Sequence, residues 1–189
     1  MDSLQYLIRK SSSNSNKNLD KLSKFFSQEE LNKLSQKSVS IVGTNGKTTT
    51  ATVLNNILSN RGLSTVLFTS PHLVSLNERI QVNKKMIKDV ELDIAMQGIK
   101  LFEKENNIVL GYFESIFLIA AKKFLDEGLD IFIAEAGIGG RLDTTSILNS
   151  RTVCLTNIGL DHTELLGTTI KEILLEKIHV SKKVNKFIN

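Results

Sequence analysis

The 189-residue chain has one cysteine, one proline and no tryptophan, and it contains no long apolar run. With Cys154 alone, neither an intrachain disulfide nor a cysteine-rich metal site can form, and the apolar neighbours Val153 and Leu155 favour a buried, unreactive thiol. No stretch approaches the roughly 20 apolar residues of a membrane helix, and the N-terminus lacks a signal-peptide pattern. We therefore predict a cytoplasmic protein that does not bind membranes.

The chain also lacks a strong excess of positive or negative charge. Lys and Arg number 24 against 20 Asp and Glu, which gives a net charge of +4, and 41% of the residues are hydrophobic. A mild positive excess is typical of solvated surface, so we predict no nucleic-acid partner. The length and composition fit one domain with an ordinary core, or one domain with a small appendage.

The apolar pattern divides the chain into a helical segment over 1–37, a larger domain over 38–180 and a basic tail over 181–189. In the first part, 11–18 is polar and predicts a loop, whereas the spacing over 19–35 predicts a helix. The larger domain has predicted strands at 38–42, 64–68, 130–134 and 151–156, predicted helices at 48–60, 89–105, 113–127 and 169–180, a loop with a small hairpin at 71–88, and a loop at 137–150. This alternation predicts an α/β fold, with a mostly parallel sheet flanked by helices.

A glycine-rich loop follows the first predicted strand and opens the next helix. Backbone amides and a helix N-terminus in such a loop suit phosphate oxygens, while Lys47 would pair with the β- and γ-phosphates and the Thr48 hydroxyl would ligate Mg²⁺. Ile41 stands where the usual pattern has a glycine, so the loop is a shortened variant. The alternative is a plain glycine turn. The loop consists of Gly43-Thr44-Asn45-Gly46-Lys47-Thr48.

Ser70 and Glu135 follow two further predicted strands. Ligands of open parallel sheets bind beyond the carboxyl ends of the strands, so an oxygen of Ser70 is placed to reach a metal or a phosphate. Glu135 ends an apolar strand, where a carboxylate needs a partner or a cation, and Mg²⁺ held by carboxylate and ATP phosphates fits that position. A Ser-Pro turn and an arginine-paired glutamate are the structural alternatives.

His162 and Lys177 complete the candidate set. His162 lies past the strand 151–156, and Lys177 lies seven residues after Ile170, on the apolar stripe that also includes Ile173. A lysine on such a stripe must either extend outward to solvent or serve a purpose. A loop histidine without a role and an outward-extending lysine are the alternatives.

Together these motifs resemble the Mur ligase family and, within it, the folylpolyglutamate and dihydrofolate synthases. The matching segments occur in order from about residue 38 to 177. They are GTNGKTTT at 43–50, SPHL at 70–73, NERI at 77–80, YFE at 112–114, EAGIGGRLD at 135–143 and GLDHTELLG at 159–167.

The resemblance implies the P-loop NTPase-like central domain of a two-domain ligase. Such an enzyme uses ATP and Mg²⁺ to join L-glutamate to dihydropteroate or tetrahydrofolate, through an acyl phosphate that the glutamate amine attacks. Positioning and charge neutralisation around the phosphoryl group would supply much of the catalysis. We expect a monomer.

The resemblance also implies residue roles. The ATP-binding residues would be Gly43, Thr44, Asn45, Gly46, Lys47, Thr48 and Thr49. The metal ligands would be Thr48, Ser70, Glu135, His162 and Lys177, the last as a lysine carbamylated by CO₂, and Lys47, His162 and Lys177 would be catalytic. The pterin-side surface would include Pro71, His72, Arg79, Phe113 and Glu114, although a buried helix start also explains the last two.

The chain departs from the family pattern at two places. Thr48-Thr49 follow the loop lysine, where the folate branch commonly has Gly-Ser, and Ile178-His179-Val180 stand where the family continues with Ala-Gly-Ile. Since the chain ends at Asn189, we expect a truncated ligase without the glutamate-binding domain and with impaired activity. The alternatives are a non-catalytic ATP-binding remnant and a fragment of a cell-wall Mur ligase, which the SPHL and GGRLD segments disfavour.

Overall fold

The computed structural model describes residues 6–7 and 19–189. The loop predicted over 11–18 lies outside the described residues. The strands in chain order are β1 (Ser38–Val42), β2 (Thr65–Phe68), β3 (Ile80–Val82), β4 (Lys85–Met86), β5 (Ile131–Glu135), β6 (Thr152–Leu155) and β7 (Lys186–Ile188). The helices are α1 (Leu19–Ser23), α2 (Gln28–Lys37), α3 (Lys47–Asn60), α4 (Asp89–Asn106), α5 (Tyr112–Asp126), α6 (Thr163–Leu166) and α7 (Ile170–Ile178), with 3₁₀ turns at Leu76–Arg79 and Thr144–Leu148.

The strands form one sheet in the order β4-β3-β2-β5-β1-β6-β7. The pairs β2–β5, β5–β1, β1–β6 and β6–β7 are parallel, and the pairs β2–β3 and β3–β4 are antiparallel. The predicted mostly parallel α/β sheet is therefore confirmed. The carboxyl ends of β1, β2, β5 and β6 all lie at the same edge, which we call the carboxyl edge.

The structure differs from the prediction in the segment before β1 and in the tail, and it adds the short helix α6. The helix predicted over 19–35 is interrupted, because Ser27 caps α2: its hydroxyl accepts the amide of Glu30 at 3.2 Å, and the Glu30 carboxylate accepts the amide of Ser27 at 2.8 Å. In the tail, residues 186–188 form β7 and pair with β6. The predicted hairpin is present as β3–β4, and Asn83 and Lys84 at its turn have positive φ values of 48° and 67°, as such tight hairpin turns require.

Both faces of the sheet are covered. One face packs against α5 and carries the larger core, where Phe68, Phe117, Phe124 and Phe132 are buried. On the other face Ala51 of α3 packs against the sheet in a smaller cluster with Ile41, Leu67 and Ile133. Ile57, farther along α3, is 48% exposed. No helix in the described part of the chain is long and apolar enough to cross a bilayer.

Asn55 occupies a sheet-facing position on α3. It is 1% exposed, and its Oδ1 has no hydrogen-bond partner within the described residues. A buried polar atom without a partner lowers stability by about 1–3 kcal/mol.

We therefore expect Asn55→Leu to raise the free energy of unfolding by about 1 kcal/mol, because the unpaired amide is replaced by an apolar group of similar size. Denaturant unfolding measures this. The exposed neighbour Asn56 on the same helix provides the control Asn56→Leu, which should change stability by less than about 0.5 kcal/mol. A loss of stability in Asn55→Leu would contradict the interpretation.

Candidate functional site

The phosphate loop joins β1 to α3 and depends on two glycines. Gly46 caps α3 with φ 79°, and Gly43 has φ 149°; both values are ones that side chains disfavour. A Cβ on Gly43 would lie 2.0 Å from Oγ1 of Thr156. Lys47 is folded back over the loop, since its Nζ donates to the carbonyls of Gly43 and Thr44, each at 3.1 Å. The loop thus places a cation above the N-terminus of α3.

The segment that follows β6 forms hydrogen bonds with the first half of the phosphate loop. The amide of Thr44 donates to the carbonyl of Asn157 at 2.9 Å, and the amide of Asn45 donates to Oδ1 of Asn157 at 2.8 Å. Thr156 Oγ1 donates to the carbonyl of Asn45 at 2.7 Å, and the amide of Gly159 donates to Oγ1 of Thr44 at 3.0 Å. Thr156 and Asn157 were not among the residues predicted from the sequence. The available signal was this polar pair directly after an apolar strand.

Thr48, Ser70 and Glu135 meet at the carboxyl edge, as predicted. The Thr48 hydroxyl lies 2.8 and 3.0 Å from the two carboxylate oxygens of Glu135, and the Ser70 amide donates to Glu135 Oε2 at 3.1 Å. Glu135 is 2% exposed. Burial raises the pKa of its carboxyl group, an effect partly opposed by Thr48, Ser70, Lys47 and Arg79.

Glu135 has no ion-pair partner among residues 6–7 and 19–189, because no lysine or arginine nitrogen there lies within 4.0 Å of its carboxylate. The arginine-paired alternative is therefore wrong. The two nearby cations, Lys47 and Arg79, act on Glu135 only at longer range.

Lys177 is buried on α7, with 2% of its surface exposed. The outward-extending alternative is therefore wrong, although the predicted stripe needs correction: Ile173 is buried, but Ile170 is 47% exposed. Burial lowers the pKa of Lys177, and the neighbouring charge of Lys47 lowers it further, while Asp161, Asp143 and Glu176 oppose the shift.

The glycine-rich segment after β5 packs tightly against the end of α7. A Cβ on Gly140 would lie 2.3 Å from the carbonyl oxygen of Lys177. Arg141 donates its amide to the carbonyl of Glu176 and its Nε to the Glu176 carboxylate, both at 3.0 Å. Asp143 fixes the segment from within, since its carboxylate accepts the amide of Gly137 at 3.0 Å. The segment between Glu135 and Asp143 therefore sets the position of Lys177.

His162 precedes α6 in a left-handed conformation with φ 46°. Its side chain is 44% exposed, and Nε2 lies 3.7 Å from the Asp161 carboxylate. Within the described residues, no group of three or more His, Cys, Asp and Glu side chains is placed to hold a metal ion. The predicted metal role of His162 remains a prediction.

The predicted substrate residues divide into two groups. Arg79 donates Nε to Nδ1 of His72 at 2.8 Å, and its guanidinium lies 5.2 Å from the ring centre of Tyr112. Arg79 and His72 thus form a pair, and His72 directly follows the exposed Pro71. Because Pro71 follows Ser70, this pair lies near the carboxyl edge.

Phe113 and Glu114 have structural contacts at the start of α5. The rings of Phe113 and Phe68 pack edge to face at 5.3 Å. Glu114 is buried, and its carboxylate accepts the amide of Gly111 at 2.5 Å, which makes it the acidic partner that caps the helix. Their predicted contact with substrate remains a prediction.

Comparisons with known proteins agree with this arrangement. A family model described as the Mur ligase middle domain matches residues 41–188. The dihydrofolate synthase/folylpolyglutamate synthase of Buchnera aphidicola subsp. Acyrthosiphon pisum is 41% identical over 143 residues, which are 76% of this chain and 34% of that protein. The protein of the same name from Haemophilus influenzae is 36% identical over 145 residues, 77% of this chain and 32% of the relative.

Solved structures show the same fold. The structure described as "E.coli FolC in complex with DHPP and ADP" has a TM-score of 0.85 and 31% identity, over 95% of this chain and 44% of that one. The "FPGS-AMPPCP-folate complex" has a TM-score of 0.81 and 26% identity, over 95% of this chain and 46% of the other.

This chain spans about a third of the length of the curated relatives it matches. The family model nevertheless covers residues 41–188, which contain every candidate site residue. The chain therefore belongs to the Mur ligase family, and its relatives within that family are the folylpolyglutamate and dihydrofolate synthases.

Proposed function

We propose that this chain supplies the ATP-phosphate and Mg²⁺ site of an ATP-dependent carbon–nitrogen ligase. The ligase would add L-glutamate to dihydropteroate or tetrahydrofolate through an acyl phosphate, in the cytoplasm. The observation that carries the proposal is the contact between the Thr48 hydroxyl, at the start of α3, and the buried carboxylate of Glu135. The names of the curated relatives supply the substrate class.

The residues present fit Mg²⁺. Glu135 is a buried carboxylate without an ion-pair partner in the described chain, and the oxygens of Thr48 and Ser70 adjoin it. Mg²⁺ prefers oxygen ligands and is usually held by one or two carboxylates together with phosphates and water, so a larger cluster of acidic side chains is not required. When bound, the ion would neutralise charge on the phosphates.

Lys47 is the cation of this site that can move. Its present acceptors, the carbonyls of Gly43 and Thr44, are neutral, and bonds to ionised acceptors are roughly twice as strong. A nucleotide phosphate would therefore draw Nζ away from the loop carbonyls. In that position Lys47 would stabilise negative charge on the phosphate that is transferred to the substrate carboxylate.

Lys177 is suited to the proposed carbamylation. Burial and the charge of Lys47 both lower its pKa, which favours the neutral amine, and a neutral amine is the form that reacts with CO₂. As the N–C bond forms, one C=O bond of CO₂ becomes C–O⁻ and the amine nitrogen releases a proton to solvent. The product would be an anion, so Lys47, which disfavours a charged Lys177 amine, would attract the carbamate. The resulting carboxylate could then hold a second ion together with His162.

The pterin-side surface would lie at the Arg79–His72 pair. Arg79 is 9% exposed, and its guanidinium is oriented by His72 and the Tyr112 ring. A fixed guanidinium suits recognition of a carboxylate. We propose that this pair helps to position the acceptor carboxylate near the phosphate loop.

At neutral pH the buried carboxylate of Glu135 should lower the free energy of unfolding of the chain relative to a neutral side chain at this position. Its pKa is raised above the ordinary value of 4.5 by burial, so the stability that its protonated form gives is fully present below 4.5 and is lost as pH rises through the folded pKa. We expect Glu135→Gln to be more stable than the unaltered chain at pH 7, with a difference that shrinks as pH falls toward 4.5. Denaturant unfolding over pH 4.5–8 measures this, and a difference that is independent of pH would contradict it.

Lys47 provides the test of nucleotide binding. Removing a charged hydrogen-bond donor should weaken Mg-ATP binding by roughly 10- to 100-fold in Lys47→Ala. Titration calorimetry measures the affinity, and Lys104→Ala, at an exposed lysine on α4, should bind as the unaltered chain does. Equal affinity in Lys47→Ala and the unaltered chain would overturn the phosphate-loop assignment.

Ligation is tested separately by Mg-ATP-dependent incorporation of labelled L-glutamate into dihydropteroate and into tetrahydrofolate. Incorporation that is lost in Lys47→Ala would support the ligase, and the better acceptor would identify the substrate. Nucleotide binding without incorporation into either acceptor would favour a non-catalytic ATP-binding role for this chain.

A further inference from the structure

We infer that Asn157 is a positioning residue for the ATP phosphates, because it occupies two amides of the phosphate loop and leaves the amides at the start of α3 to the nucleotide. The inference rests on the proposed function, since it concerns the same loop. It adds Asn157, which was not among the residues predicted from the sequence to bind the nucleotide.

The hydrogen bonds divide the loop amides into two sets. Thr44 donates to the Asn157 carbonyl at 2.9 Å, and Asn45 donates to Asn157 Oδ1 at 2.8 Å. An amide has one hydrogen to donate, so these two are not available to an anion. Both belong to the first half of the loop.

The amides at the start of α3 form the second set. The amide of Thr50 donates to the carbonyl of Gly46 at 2.9 Å, one helical turn back. The amides that precede it at the start of a helix have no carbonyl one turn back within the helix, so they are the donors that a phosphate can use. The phosphates would therefore lie over the helix start, next to Thr48 and Glu135, and not over Thr44.

The amide side chain of Asn157 has two properties that this position needs. Its Oδ1 is an acceptor, which the Asn45 amide requires, and it is neutral. An aspartate would accept the same amide but would add a negative charge beside the phosphates. An alanine would remove the acceptor and free Asn45 to turn. Because Asn157 is exposed, both replacements leave the core unchanged.

The neighbouring contacts extend this link toward His162. Gly159 donates to Oγ1 of Thr44 at 3.0 Å, and Thr44 Oγ1 donates to the carbonyl of Gly159 at 3.2 Å. His162 follows three residues later. The segment 156–162 thus connects the phosphate loop with the proposed ligand of the second ion.

The experiment compares Asn157→Ala, Asn157→Asp and the unaltered chain. Calorimetry measures affinity for Mg-ATP and for Mg-tripolyphosphate, which lacks the nucleoside, and NMR measures hydrogen-exchange protection of the Asn45 amide. Asn106→Ala is the control, because Asn106 is exposed on α4 and its side chain donates only to Phe102 one turn back.

We expect Asn157→Ala to lose protection at Asn45 and to bind both probes about three- to tenfold more weakly, which corresponds to the net value of one hydrogen bond. Asn157→Asp should keep the protection but also bind both probes more weakly, with a loss that diminishes at high salt because it is electrostatic. If Asn157 had a purely structural role, Asn157→Asp would not lose affinity for the probes while it keeps hydrogen-exchange protection at Asn45.

Two results would overturn the inference. The first is that Asn157→Ala binds both probes with an affinity within about twofold of the unaltered chain, although Lys47→Ala has lost binding. A twofold change is smaller than the net value of one hydrogen bond. The other is unchanged protection of Asn45 in Asn157→Ala. Failure of the unaltered chain to bind either probe would instead overturn the proposed function, and the protection measurement would still decide whether Asn157 fixes the loop.

Discussion

The parallel alignment of β2, β5, β1 and β6 is the constraint on which the rest of the structure depends. It brings four strand ends, which are far apart in the chain, to the same edge of the sheet. Residues that follow those ends are then neighbours: the phosphate loop after β1, Ser70 after β2, Glu135 at the end of β5 and Asn157 after β6. Each strand is short, and its pairing in the sheet fixes the position of the polar residue at or just after its carboxyl end.

Burial disfavours the charged forms of both Glu135 and Lys177. Glu135 is a buried carboxylate without an ion-pair partner in the described chain, and Lys177 is a buried amine whose charged form is further disfavoured by the nearby cation Lys47. Neither arrangement stabilises the fold by itself. The burial of both side chains becomes favourable if the site receives a divalent cation, phosphates and a modified lysine. Ionisable groups that are unfavourably placed in the empty protein are typical of functional sites.

Much of this could be predicted from the sequence because the signals are local. The apolar runs indicated the strands, and the loop glycines indicated the phosphate loop. The position of Lys177 on α7 marked it as unusual but left burial and outward extension both open. The interruption before α2 was missed because apolar spacing continues across Ser27, although the pattern Ser27-x-x-Glu30 is a local capping signal. Two other features could not be found locally. The Asn157 side chain accepts the amide of Asn45, 112 positions earlier. The strand β7 has only three residues, too few for an apolar pattern to indicate it, and it pairs with β6.

The strand β7 lies at one side of the sheet and affects how readily another chain can pair with it. In the sheet formed by the described residues β7 is the last strand in the order, and its Phe187 and Ile188 are 50% and 43% exposed. An edge of this kind is a template for another chain to add a strand, which leads to aggregation. Lys186 lies on this strand and Lys182 and Lys183 precede it. Like charges repel, so these lysines disfavour direct pairing of two copies along β7, as basic residues do on the exposed strands of natural sheets.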